Sequence, residues 1–365
     1  MKILTRYILR EFLVPLGYCL TGFVSIYVLF ELFGSFSRLL GSDLSAGMVV
    51  RYFLGYLSPF FHYLAPASLM LATIYTMWSF CRHSEIIAMR ASGVSFMAIV
   101  KPLLFVAFLM ACFVAWVDEF YVPQNAQWAK RLRTSQFDLK KVDRTGDIVY
   151  RNARAFRVWT ADSASDDMGA HLLGVKVTVD RPSGARLICV TSDKADYLDG
   201  EWWFTNPKVI HYDERGEEIA TPTPELESLP LRVFPEFRER PGDILVQNRD
   251  WAYNSVREKL RFIRTHKDIT PEQKRKCLYD AWAQIMSPWA CLVITLFAIP
   301  AGIASGRQSV FRGILGALGM YFAFYGLTIG CMVAADTGWL PPIPAAVVPD
   351  VVFLALGLRA FAKQR

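Results

Sequence analysis

Three long apolar stretches, a polar block over 122–276 and three further apolar stretches succeed one another along this 365-residue chain. That order constrains the fold more than any single motif. A helix needs about 20 apolar residues to cross about 30 Å of hydrocarbon. Six runs reach that length, at roughly 12–34, 54–80, 97–118, 281–303, 313–335 and 340–359. Backbone groups inside a bilayer must be bonded within the protein, so the runs read as helices. Charge draws the same division: of 33 acidic residues, 24 fall between Val122 and Lys276. The expectation is an α-helical membrane protein with six transmembrane helices in a 3+3 arrangement and a folded domain inserted between the halves. Its parts are 1–121, 122–276 and 277–365.

The first apolar run follows Lys2, Arg6 and Arg10. It is too long for the apolar core of a signal peptide and no small-residue cleavage site follows it, so it is read as a retained anchor. With the N-terminus inside, the inner segments carry Lys2, Arg6, Arg10, Arg82, Arg90, Lys101, Arg307, Arg312, Arg359, Lys363 and Arg365. The short outer loops carry only Arg38 and Arg51. The positive-inside rule then puts both termini in the cytoplasm and the polar block outside. The net charge of +7 largely reflects this topology, since the outer block holds 27 basic and 24 acidic residues, and a nucleic-acid partner is disfavoured. The seven cysteines form no CxxC pair, which disfavours zinc ribbons and thioredoxin-like sites. Cys189 and Cys277 are the two in the outer block that an oxidising compartment would let pair.

The outer block opens with a polar helical segment from Pro123 to about Lys141. After Gly146 the period becomes two, with Val175, Val177 and Val179 alternating with Lys176, Thr178 and Asp180. Trp202 and Phe204 share a face. Asp199-Gly200 is a hairpin signal, because a type I′ turn needs positive φ at both central residues. Short strands with turn residues between them predict an antiparallel β domain, sandwich or jelly roll, over about 146–235. From Trp251 to about His266 the pattern is helical again, with Val256, Leu260 and Ile263 in step. This segment is expected to return to the membrane near Pro271. Pro288, Pro300, Pro344 and Pro349 lie in or beside the later spans. No internal repeat is detected.

The inner loop between the second and third runs reads Arg82-His-Ser-Glu-Ile-Ile-Ala-Met-Arg-Ala-Ser-Gly93. Ser84 is suited to cap a short helix and Gly93 to end it in the left-handed conformation. Glu85 would complement the dipole in the first turn, with Ile86, Met89 and Arg90 on one face. Two readings stand: a lever that docks in a groove on a cytoplasmic partner, or an interfacial loop with a capping acid.

This loop resembles the coupling helix of the lipopolysaccharide-export ABC transporter permeases, the Lpt F/G family, which show a similar Ser-Glu-(apolar)₂-x-(Met/Leu)-x-Ala-x-Gly run here. The opening Arg6-Tyr7-Ile8, the Glu119-x-x-x-Pro123-Gln124 exit, Pro288 and the ending Leu340-Pro-Pro-Ile-Pro…Pro349 resemble the same family in the same order. The helix at Trp251–His266 and the Pro-Pro ending are closer to the G member. The resemblance implies a subunit that pairs with a paralogous six-span F-type permease. Together they would extract lipopolysaccharide from the inner membrane and pass it through jelly-roll domains to periplasmic bridge proteins of C and A type. A cytoplasmic ABC ATPase dimer would supply the work and use the ATP. The chain needs no cofactor of its own, and without a Gly-Lys dipeptide it cannot form a P-loop.

On that resemblance Glu85 would meet a basic groove residue of the ATPase, with Ile86, Met89 and Arg90 beside it. Phosphates on the lipid A headgroup call for basic side chains near the outer interface, and arginine matches phosphate as a bidentate fork. Candidates are Arg38, Arg51, Lys130 and Arg133; ordinary snorkelling is the alternative, favoured for Arg51. Glu31 departs from the G-type pattern, where a lysine can stand; its acid would need pairing with Arg38 or a divalent cation. Asp350 lies within the last span, where an ionisable group is a functional candidate by default. A helix break at Pro344 and Pro349 would instead make it structural.

The β domain would either extend neighbouring jelly rolls edge to edge as an acyl-chain slide or act as a closed clamp. Two rivals share the layout: a permease-like subunit driving a periplasmic clamp, and a membrane enzyme with a periplasmic catalytic domain. The second lacks both His-Glu-x-x-His and Gly-x-Ser-x-Gly, and the histidines are His62, His83, His171, His211 and His266 alone. The topology is testable directly. Reporter fusions within His83–Gly93 are expected to be active only in the cytoplasm; activity outside the cell membrane would remove the lever.

Overall fold

The computed structural model describes residues 2–41, 44–135, 137, 145–152, 155–165, 171–182, 184–214, 217–219, 230–241, 244, 251–265, 271–304 and 310–362. Helices before the sheet are α1 (Lys2–Leu40), α2 (Ala46–Leu57), α3 (Phe61–Arg82), α4 (Glu85–Ala91), α5 (Phe96–Trp116) and α6 (Val122–Thr134). Those after it are α7 (Val256–Thr265), α8 (Pro271–Met286), α9 (Ala290–Ala304), α10 (Val310–Asp336) and α11 (Pro342–Ala362). Among the described residues, six helical stretches are long and apolar enough to span a membrane: Ile3–Leu39, Ala46–Arg82, Phe96–Thr134, Pro271–Ala304, Ile314–Asp336 and Pro342–Ala362. Of the basic residues used for orientation, Arg307, Lys363 and Arg365 lie outside the described residues, as do His266 and Lys141.

Two of the spanning stretches are broken in the same manner. Ser58-Pro59-Phe60 and Ser287-Pro288-Trp289 each form a 3₁₀ turn with proline in its first positions. Proline lacks the N–H that an α-helix would bond one turn back, so the tighter turn takes its place. The helices that follow these breaks, α3 and α9, pack along each other. Close approach is set by Gly302: a Cβ there would lie 2.7 Å from Met77 Cβ and 2.9 Å from Ile74 O. α5, α10 and α11 complete the bundle against α9. One apolar cluster joins Phe12, Leu69, Phe80, Phe96, Leu103 and Phe361, and another joins Ile74, Phe297, Phe324 and Phe353. Pro344 and Pro349 do not break the last helix, contrary to the reading that would expose Asp350. Pro344 sits in the first turn, where its missing donor has no partner to lose, and α11 runs through Pro349.

Among the described residues, eight strands lie between α6 and α7: β1 (Thr145–Asn152), β2 (Arg157–Ser165), β3 (His171–Asp180), β4 (Arg186–Leu198), β5 (Glu201–Thr205), β6 (Lys208–Tyr212), β7 (Glu218–Ile219) and β8 (Leu231–Val233). All belong to one antiparallel sheet, ordered β1-β2-β3-β4-β5-β8, with β6 beside β4 and β7 beside β6. One row of buried side chains crosses five strands in register: Tyr150, Trp159, Val177, Val190 and Val209. Asp199 and Gly200 both take positive φ, 52° and 88°, and close the β4–β5 hairpin as the dipeptide predicts. β5 and β6 continue one another along β4, interrupted at Asn206-Pro207. Trp202 and Phe204 are fully buried against Trp159 and Phe237. Glu239 fastens the segment that carries Phe237. Its carboxylate lies 3.0 Å from an Arg157 guanidinium nitrogen, and its carbonyl accepts from Trp202 Nε1 at 2.6 Å.

Contacts divide the chain into a helical unit (Met1–Ser37, Ala46–Ala126 and Ser255–Arg365) and a second unit holding the sheet (Arg38–Ser45 and Gln127–Asn254). All seven cysteines, Cys189 and Cys277 included, are free thiols.

The α3–α9 contact yields a stability test. Gly302→Ala is expected to cost about 1–3 kcal/mol by overpacking. Gly316→Ala, where nothing lies within 4 Å of the new carbon, is expected to be neutral or stabilising. Thermal unfolding of the two variants in one detergent decides it.

Candidate functional site

α4 forms where the loop motif predicts, and its C-terminus closes as foreseen. Gly93 takes φ 87°, Val94 N–H bonds Met89 O at 3.0 Å and Gly93 N–H bonds Arg90 O at 3.0 Å. These are the two bonds of a Schellman stop. The N-terminus differs. Ser84 is itself left-handed, with φ 57°, and its side chain makes no capping bond. Its N–H bonds Cys81 O at 3.1 Å, so Ser84 finishes α3 instead of starting α4 with its hydroxyl.

The apolar face also differs from the sequence reading. Ile86 is only 8% exposed and joins the core with Ile8, Phe12, Phe80 and Phe96, while Met89 packs against the same cluster. Both therefore hold α4 to its own bundle. The apolar side chain turned outward is Ile87, 66% exposed, with Arg90 also exposed. Glu85 is half-buried and accepts a hydrogen bond from Tyr7 Oη at 2.9 Å. The Tyr7 ring stacks on Phe80, centroids 6.0 Å apart. Arg82, next to the turn, places its guanidinium 5.1 Å from the centre of the Trp78 ring.

The proposed phosphate residues are distributed over both units. Arg38, Lys130 and Arg133 belong to the unit that holds the sheet, and Arg51 lies exposed on α2 in the helical unit. Lys130 is exposed, with its ammonium 5.7 Å from the centre of the Tyr253 ring. Glu31 is buried and accepts from Ser35 Oγ at 2.8 Å and Tyr52 Oη at 2.6 Å, which ties α1 to α2. Hydroxyl donors thus solvate this acid. Asp350 is half-buried, and among the described residues its Oδ1 has no hydrogen-bond partner.

A second polar cluster, which the apolar periodicity did not reveal, lies where α5 gives way to α6. The helix passes through a π turn at Val117–Tyr121 without stopping. Inside this turn Asp118 is buried, and its carboxylate lies 3.4 Å from Ser287 Oγ. Glu119 accepts from Val256 N–H at 2.9 Å and lies 3.4 Å from Arg257 Nε, so it caps α7 from outside. Ser255 and Glu258 complete that start as a reciprocal capping box, at 3.2 and 3.1 Å. The Ser-x-x-Glu spacing was the available signal. Lys259, not Leu260, is the deepest side chain of α7, at 4% exposed. Its ammonium donates to Gln284 Oε1 at 2.6 Å, and Gln284 Nε2 donates to Asp118 O at 3.2 Å. Burial outweighs the opposing pull of Asp280, Asp118, Cys277 and Glu119 and holds the Lys259 pKa below the ordinary lysine range. In the sheet, burial pushes Asp196 up, but hydrogen bonds from Lys194 and His171 win and hold its carboxyl below the usual range.

Six helices of spanning length, with an antiparallel domain between the third and fourth, define a multi-pass membrane protein. The family model for the lipopolysaccharide export system permease LptF/LptG matches residues 6–363, nearly the whole chain, and the chain belongs to that family. A comparison with curated protein sequences finds no match. Membership makes the chain a permease of the lipopolysaccharide-export ABC transporter, a transporter subunit of the inner membrane and not an enzyme, and implies ATPase and paralogous permease partners. The model covers both family members and does not separate F from G.

The Lys259 cluster predicts a pH signature. Where the folded protein has shed the Lys259 proton and the unfolded chain has not, stability rises with pH. The wild type is therefore expected to gain on Lys259→Met as pH climbs to about 10.4, the unperturbed lysine value. Thermal unfolding of both proteins across that window tests it; a constant difference between them would contradict it.

Proposed function

We propose that this permease takes lipopolysaccharide from the inner membrane and passes it through its β domain to periplasmic jelly-roll bridge proteins of C and A type. A cytoplasmic ATPase dimer grips α4 and supplies the work, and a paralogous six-span F-type permease completes the path. In this reading both termini are cytoplasmic, the sheet is periplasmic, and the chain uses no cofactor of its own. The observation that carries it is the construction of α4. A seven-residue helix with a defined stop is held to the bundle core by Ile86 and Met89 while Glu85, Ile87 and Arg90 remain reachable. Force on such an element passes into α3 and α5 without needing a long lever.

Arg38, Lys130 and Arg133 are assigned to the lipid A phosphates, with Arg51 as a more distant contact. Their chemistry supports the assignment: cations matched to phosphate, with Arg38, Lys130 and Arg133 in the unit that carries the sheet. Glu31 acts as a strut between α1 and α2. Asp350 is assigned a role within the bundle, since an ionisable group with an open oxygen in a spanning helix is costly to keep.

The test has two arms in the reconstituted transporter. Glu85→Ala is expected to leave the six-span chain folded while hydrolysis no longer yields release of lipopolysaccharide. A charge-assisted contact of about 1.5–3 kcal/mol corresponds to a loss of about tenfold or more in ATPase affinity. Photocrosslinkers at 38, 130 and 133 are expected to capture labelled lipopolysaccharide in an ATP-dependent manner. Capture of a periplasmic protein without any lipid would favour a clamp over a transporter.

A further inference from the structure

Glu85 is held by a residue 78 positions away in sequence. Among the described residues the hydroxyl of Tyr7 is the carboxylate's hydrogen-bond partner, through Oε2 at 2.9 Å. The phenol is itself constrained. Its ring stacks on Phe80 near the end of α3, with planes 29° apart, and its neighbour Ile8 is fully buried in the cluster that contains Phe80 and Ile86. One turn further along α1, Thr76 Oγ1 donates to Glu11 O at 3.2 Å, a second tie between α1 and α3. Tyr7, 40% exposed, is thus a donor braced at its ring by Phe80, and it engages one oxygen of Glu85.

The consequence is chemical. A glutamate at the start of a short helix samples several rotamers, and fixing one of them for a partner costs conformational entropy. Ser84, which the motif offers as a cap, makes no side-chain bond to α4 and gives no such restraint. A carboxylate with Oε2 engaged keeps the lone pairs of Oε1 for an incoming cation.

We propose that Tyr7 is the positioning residue for Glu85. It presents the carboxylate to the ATPase in one orientation and joins the first transmembrane helix directly to the coupling helix. This rests on the reading that Glu85 meets the ATPase.

A double-mutant cycle on the full chain, reconstituted with its ATPase and partner permease, tests it. Tyr7→Phe keeps the ring on Phe80 and removes only the hydroxyl. It is expected to weaken ATPase association, and to lower the lipopolysaccharide released per ATP, by several-fold. Glu85→Ala is expected to lower both further. The double variant should equal Glu85→Ala alone, because a positioning residue has nothing left to position. A purely structural Tyr7 would give losses that add. Additive losses, or a Tyr7→Phe protein indistinguishable from wild type beside a defective Glu85→Ala, overturn the role of Tyr7 and leave the coupling role of Glu85 standing. A Glu85→Ala protein with normal association and release removes both.

Discussion

The structure turns on how one helix leaves the apolar layer without stopping. α5 ends its apolar run at Trp116 and continues through a π turn into α6. An acidic pair at this point, Asp118 and Glu119, would be costly at the edge of hydrocarbon unless bonded. The chain bonds it from segments more than a hundred residues away. Glu119 caps α7, Ser287 faces Asp118, and Gln284 links the Asp118 backbone to Lys259. One wide turn therefore fixes where the first half of the chain meets the helices that begin the second half. A π turn suits the task because its extra residue redirects side chains that a regular helix would point elsewhere.

That dependence explains which parts were legible in the sequence. Span number, the inserted sheet and the Asp199-Gly200 hairpin follow from run length, period and turn chemistry, each settled within a few residues. The stop of α4 at Gly93 is equally local. Its start was misread because Ser84 had two tasks open to it, and the demands of the preceding helix won. The face of α4 was misread for a related reason. Ile86 and Met89 look like docking knobs in isolation, but Ile8, Phe12 and Phe96 arrive from other helices and cover them. Lys259 leaves no mark in the apolar period, because an ammonium bonded to Gln284 occupies the deepest described position of α7. Tyr7 lay in plain view within Arg6-Tyr7-Ile8, yet its partner is distant and nothing local names it.

The sheet shows how a long strand can serve two neighbours. β4 pairs along one edge with β3, while its other edge is shared by β6 near the start and β5 near the end. The interruption at Asn206-Pro207 falls where a proline cannot donate to the ladder, and Ser192 Oγ bonds Thr205 O across it. The buried row from Tyr150 to Val209 therefore passes the break intact. The Glu239 anchor lays Phe234 and Phe237 over Phe204, so the chain that follows the strands covers part of the apolar face.

The two families of helix in the bundle carry different loads. α3 and α9 are buried along much of their length and come together at Gly302, whose missing side chain lets Ile74 and Met77 approach, as expected where lipid offers no hydrophobic gain for helix pairing. α1 and α10 instead present Leu29, Phe30, Phe33, Phe311, Phe322 and Ile329 outward. Against lipid such faces are at equilibrium and require no explanation. For a permease whose family implies a paralogous partner, they also leave large surfaces that can exchange lipid for protein or substrate with little change in free energy. α1 is tied at Glu31 by Tyr52, and near its start by Tyr7, Ile8 and Phe12. A helix held near both ends, and touched between them where the Tyr27 ring meets those of Tyr56 and Phe60, can transmit displacement along its length.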